Sequence, residues 1–217
     1  MTARCTYRSA RQRLRAFRRE EDGTTLVEFA LVLALFLLIL FGLIDFGRLA
    51  FHYVTTEKAM HVAARVAAVR PPACAGVPEF HRISDSVTLP APDYGTRCNA
   101  GGAICQTTGT ISCSGAIANP TVAEIWPIIR GTLPNDAGPD VLRFSYAYDP
   151  NLGFLGGPYV PVVTVEIQNL DFQFISPLGA LVGLTGATAP SGLGGDIAFP
   201  AMSVSMPGED LAHGSAG

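Results

Sequence analysis

Apolar positions fall into one long block followed by several short alternating ones. Residues 26–44 are apolar throughout except for Glu28. A helix rises about 1.5 Å per residue, so this run would extend about 28 Å, close to the roughly 30 Å hydrocarbon core of a bilayer. It is apolar on every face, which a helix lying on a soluble domain is not. The pattern predicts a membrane-spanning helix over about 25–46, the first part of a longer helix over 24–70. No proline interrupts that stretch until Pro71-Pro72, which ends it. Gly42 and Gly47 are soft points inside it. Further out, Ala59, Val62, Ala63, Val66 and Ala67 recur at helical spacing, while Lys58, His61 and Arg65 fall on another face. That narrow stripe predicts a face that packs on the protein's own sheet or on a neighbouring helix.

Beyond residue 70 the pattern shortens. Residues 71–118 are irregular, punctuated by prolines at 71, 72, 78, 90 and 92 and by Gly101-Gly102. Residues 119–131 predict a short helix, with Asn119 as N-cap, Pro120 at the first position and Gly131 at the end. Pro127 threatens to break it after Trp126, the only tryptophan and a core candidate. Leu142, Phe144, Tyr146 and Tyr148 alternate, and residues 160–168 are rich in β-branched side chains. Both stretches predict strands joined by the turn-rich 149–158. Pro161 suits a strand start or an edge. Residues 172–175 and 202–206 predict further strands. Residues 178–186 are apolar and glycine-spaced, and predict a loop or short helix against the membrane-proximal helix. The expected fold is α+β: a long N-terminal helix, then a disulfide-stapled, loop-rich domain over 71–217 with a small antiparallel sheet.

Charge gives this layout a direction. The chain has 217 residues and a formal net charge of −3. Up to Gly23 there are seven arginines against three acids; after it, eight basic residues face fifteen acids. Positive charge beside a first membrane segment stays cytoplasmic. The N-terminus is therefore expected inside and residues 46–217 outside. An acidic exterior speaks against a nucleic-acid partner. The five cysteines divide in the same way. Cys5 lies in the basic leader, whereas Cys74, Cys98, Cys105 and Cys113 would be exported and would form two disulfides, with three possible connectivities. A short hairpin turning near Thr108-Gly109 favours Cys105–Cys113, which leaves Cys74–Cys98. No C-x2-C pair is present, so a zinc site is the weaker reading.

Glu28 is the anomaly. A carboxylate in a spanning segment costs roughly 2.5–3.5 kcal/mol near the centre and less near an end. One reading is a helix-end Glu that reaches the headgroups. The other uses its place as the fifth residue after Gly23. If the chain is cut after Gly23, Thr24 gains a free amine, and Glu28 of one subunit can pair with the Thr24 amine of a neighbour and set their axial register.

Gly23-Thr-Thr-Leu-Val-Glu28-Phe29-Ala30, an apolar run, and then Asp45-Phe-Gly-Arg48 resemble the TadE-like pseudopilins of the tight-adherence (Tad) pilus system. The likeness is specific over 23–70 and general beyond. It implies a precursor in the bacterial inner membrane, single-pass, with a leader over 1–23 removed by a prepilin peptidase. Gly23, Thr24, Glu28 and Phe29 would then form the processing site, with Thr24 and Glu28 also setting subunit register. The implied function is that of a minor pilin or pilus-assembly protein in pilus biogenesis and surface adhesion. Its implied partners are the peptidase, other pilin or pseudopilin subunits, the Tad assembly machinery and membrane lipid.

Catalytic motifs are missing. There is no G-x-S-x-G, G-x-x-x-x-G-K-[ST], H-E-x-x-H or C-x-x-C. His52, His61, His81 and His213 are scattered, and Gly192-Leu-Gly-Gly195 lacks the helix and basic residue of a phosphate site. The expectation is a protein that is an enzyme's substrate and not an enzyme, with no catalytic residue, cofactor or metal. The alternative is an uncleaved, single-pass anchor for an exported binding domain, in which Gly23 is incidental.

Overall fold

The computed structural model describes residues 22–88, 90–102, 104–176, 182–183, 196–209 and 211. The basic leader over 1–21 with Cys5, most of the 178–186 segment, and Gly192-Leu-Gly-Gly195 lie outside the described residues. The architecture is α+β, as expected, with one long helix, a small antiparallel sheet and two disulfides. Two compact units divide the chain: residues 1–47 with 174–195, and residues 48–173 with 196–217.

The long helix α1 spans Asp22–Val69. Its part in the first unit exposes Leu26, Phe29, Leu31, Phe36 and Leu43, whereas Ala34, Leu37, Leu38, Phe41 and Gly42 are half-buried along one face. In the second unit α1 turns amphipathic. Thr56, Ala59, Met60, Ala63, Ala64, Ala67 and Ala68 are buried, while Lys58, His61 and Arg65 are exposed. The buried stripe is therefore rotated from the expected one: Val62 is exposed and Val66 only half-buried. The reason is a second row, Met60-Ala64-Ala68, that runs at i+4 spacing beside Ala59-Ala63-Ala67 and carries the face away from Val62.

After Val69, one more backbone bond from Arg70 to the Val66 carbonyl closes the helix, and Pro71-Pro72 stops it. The second helix, α2 (Pro120–Arg130), is tied to that exit. The Asn119 carboxamide oxygen accepts from the amides of Thr121 (2.9 Å) and Val122 (3.3 Å), and its nitrogen donates to the carbonyls of Pro72 and Ala73. One side chain thus caps α2 and fixes where α1 ends. Arg70 and Glu124 add an exposed ion pair. Pro127 does not break α2. It sits on the exposed side, where water can reach the Ala123 carbonyl left without a donor. The opposite face buries Val122, Ile125, Trp126 and Ile129, each worth about 1.5–3 kcal/mol, which outweighs the roughly 3 kcal/mol proline cost.

The main sheet is antiparallel throughout, in the order β1-β2-β3-β6. Its strands are β1 (Ile111–Ser114), β2 (Leu142–Ala147), β3 (Val162–Ile167) and β6 (Met202–Pro207). Leu142 pairs with Ile167, Phe144 with Val165 and Tyr146 with Val163, and all six are buried on one face. Val162 to Ile167 runs between β2 and β6, so Pro161 marks a strand start and not an edge. A short 3-10 turn, Pro139–Val141, leads into β2. Two three-residue strands, β4 (Asp171–Gln173) and β5 (Asp196–Ala198), pair separately.

The disulfides differ from the expected pairing: they are Cys74–Cys113 and Cys98–Cys105. No hairpin forms over 105–113. Instead Ile111 to Ser114 joins the sheet, where Cys113 pairs across to Phe144. Cys74 lies at the same place, with its sulfur 3.6 Å from the Phe144 carbonyl. Cys105 pairs back toward Ile83. Gly101 (φ 63°) and Gly102 (φ 92°) reverse the chain between Cys98 and Cys105, whose Cα atoms come within 4.8 Å. Positive φ at consecutive positions is a conformation glycine adopts without steric cost.

Candidate functional site

The expected processing residues fall in the first two turns of α1. Gly23, Thr24, Glu28 and Phe29 are all exposed. Gly23 is the second residue of the helix, where amide groups have no intrahelical acceptor, so opening this turn breaks few bonds. A Cβ at Gly23 would meet nothing within 4 Å among the described residues, and its φ is not positive. Among the described residues, neither packing nor backbone conformation asks for glycine there. Glu28 lies about 7.5 Å further along the axis. No hydrogen bond or ion pair among the described residues involves its carboxylate. Helix Gly23–Val69 is long and apolar enough to cross a membrane: an 18-residue window reaches a mean hydropathy of 2.9, and none of that window is buried.

At the C-terminal end of the apolar run stands Asp45, which is fully buried. One carboxylate oxygen accepts from the Ile175 amide at 3.4 Å, and the other accepts from the Ser176 amide at 3.2 Å and from the Ser176 hydroxyl. Phe46 and Phe174 meet edge to face at 5.6 Å. Sequence reasoning missed this contact, because nothing in a Phe-Ile-Ser tripeptide points to an acid so distant in the chain.

In the second unit, the C-terminal half of α1 is fastened by its own polar side chains. The His52 ring nitrogen Nδ1 donates to the Thr132 carbonyl at 2.6 Å, and the Thr56 hydroxyl donates to the same carbonyl at 3.1 Å. The Arg48 guanidinium lies 5.4 Å from the centre of the Phe172 ring. Donor atoms of His81, Cys98 and Cys105 lie within 4.8 Å of one another, the spacing of a metal site. Both sulfurs are bonded to each other, so neither is a thiolate ligand. The His81 ring is buried, and burial lowers its pKa from the ordinary value.

Residues 23–65 match the family model described as TadE-like protein, the family that the sequence resembles. The matched segment is α1 almost to its end; residues 66–217 lie outside it. The family points to a Tad-pilus-related protein, with pilus subunits and assembly machinery as the implied partners. No curated protein and no solved structure matches the chain.

Proposed function

We propose that this protein is a minor pilin or pilus-assembly protein of a Tad-type pilus, made as a precursor and cut between Gly23 and Thr24 by a prepilin peptidase. It resides in the inner membrane through residues 25–46, with the basic leader in the cytoplasm and residues 71–217 exported, and it serves pilus biogenesis and surface adhesion. It acts as a substrate and a structural component, and not as an enzyme. The observation that carries the reading is Gly23: a glycine whose Cβ would meet nothing among the described residues, five residues before an exposed carboxylate, at the start of the TadE-like segment. A protease acts on extended backbone, and a glycine in an easily opened first turn yields it at low cost. After the cut, the Thr24 amine of one subunit and Glu28 of another neutralise each other, offsetting the burial of both charges in lipid.

The test is the N-terminal residue of protein recovered from native membranes. Thr24 is expected. Gly23→Leu should leave only the leader-bearing form. Normal shortening of that variant, or a wild-type chain that keeps its leader, would overturn the processing step and favour the uncleaved anchor.

A further inference from the structure

The Asp45 contact lies where the apolar run stops. Ile44 is the last residue of that run, so the carboxylate sits within about 2 Å, along the axis, of its outer end. If α1 spans a bilayer, this is the level of the outer headgroup boundary. Asp45 itself is hidden, yet the side chains around it face outward. Phe46 is 52% exposed and Ile175 76%. Phe46 and Ile175 are therefore both open beside the end of the apolar run, and Phe46 meets Phe174 edge to face. The sequence contains no charged residue or histidine from 172 to 195. Ile175 would be poorly placed in bulk water.

We infer that residues 174–176 form a second membrane contact: Asp45 holds this turn against the helix so that Ile175, with Phe46, rests in the acyl chains just beneath the outer headgroups of the same bilayer. The occupant is lipid, because Phe46 and Ile175 are exposed at the end of an apolar run of spanning length and residues 172–195 carry no charge that would hold them in water. Asp45 is a positioning residue here. Its two oxygens take up the amides of Ile175 and Ser176 and the Ser176 hydroxyl, so these donors are satisfied at the membrane edge. The consequence is a fixed depth and rotation for the helix exit, which a lone span does not have. The inference rests on the reading that α1 spans a membrane.

The experiment uses the full chain in phosphatidylcholine vesicles at low protein density, with lipids brominated on their acyl chains as contact quenchers of tryptophan. The wild type, with only Trp126, supplies the background. Ile175→Trp adds a probe to the turn, and Phe36→Trp adds one to the middle of the span. Both probes are expected to lose most of their added emission in brominated vesicles. Combining Ile175→Trp with Asp45→Ala should restore much of it, because the turn is no longer held. A quenched Phe36→Trp beside an unquenched Ile175→Trp would overturn the second contact and leave the span intact; these side chains would then face protein, such as a neighbouring subunit. If neither probe is quenched, the span itself fails and the inference with it. Undiminished quenching in the Asp45→Ala combination would remove Asp45 from its positioning role.

Discussion

Glu28 and Asp45 bound the same apolar run, about 25 Å apart along the axis, and their surroundings are opposite. Asp45 is buried and accepts hydrogen bonds from the Ile175 and Ser176 amides and the Ser176 hydroxyl. Glu28 is exposed and has no partner among the described residues. On the proposed reading Glu28 faces hydrocarbon, where a carboxylate is expensive, and a partner from another subunit offsets that cost. On the proposed reading, Glu28→Ala leaves the Gly23–Thr24 bond cleavable, since the scissile backbone is untouched, but prevents assembly. N-terminal sequencing of the variant should give Thr24, while pili recovered from the cell surface should be lost or strongly reduced. Wild-type assembly by Glu28→Ala would show that the pairing is not needed. Glu28 was conspicuous in the sequence because a charge in an apolar run stands out. Ser176 was not, because its role is set by a contact across the fold.

At the scale of elements, what could be read in advance was what repeats. α1 follows from a long proline-free run, α2 from Asn119, Pro120 and Gly131, and β2 from the alternation of Leu142, Phe144 and Tyr146. β5 is three residues long, too short to carry a period. The disulfide pairing depended on weighing two turns. Thr108-Gly109 looks like a hairpin turn, but Gly101-Gly102 is the pair that closes a loop between cysteines. The stripe on α1 was displaced because Met60 and the second alanine row were not counted. The two disulfides should differ in weight. By loop-closure entropy, a bridge across a separation of 39 residues is worth about 4 kcal/mol and one across 7 about 2.4 kcal/mol, on a model-dependent scale. Cys74–Cys113 also joins the stretch after α1 to strand β1. The double variant Cys74→Ser/Cys113→Ser should therefore lower the denaturant midpoint of the detergent-solubilised protein more than Cys98→Ser/Cys105→Ser does. Equal losses would mean that strain or residual denatured structure, and not loop length, sets the balance. Fragmentation of the linked peptides by mass spectrometry checks the pairing itself.

At the largest scale, the long irregular stretch after Pro72 keeps its shape through one buried histidine as well as through its cysteines. His81 receives backbone bonds from two sides: its amide donates to the Gly157 carbonyl, and its carbonyl accepts from the Gly156 amide, each at 2.9 Å. The ring nitrogen Nε2 accepts from the Val160 amide at 3.2 Å, so in the neutral ring the proton is on Nδ1. Tyr159 packs on the ring at 5.1 Å and Tyr148 at 6.1 Å, and neither brings a negative charge at neutral pH. Gly153, at φ 81°, leaves room for Nε2, which would lie 2.2 Å from a Cβ there. Protonation would place a second donor opposite the Val160 amide and a charge in a buried site. That is why the His81 pKa is lowered by burial. The unfolded chain then binds the proton more readily than the folded one, so this group's stabilisation is complete above the unfolded value of about 6.5 and is lost as pH falls from there toward the lower folded value. The thermal midpoint of the detergent-solubilised protein should therefore decline as pH is lowered from 7 to 5. His81→Gln keeps an acceptor for Val160 but cannot take the charge, and its midpoint should decline less over the same interval, even if it starts lower. If the two profiles run parallel, carboxylates elsewhere carry the acid sensitivity and His81 is only a packed ring.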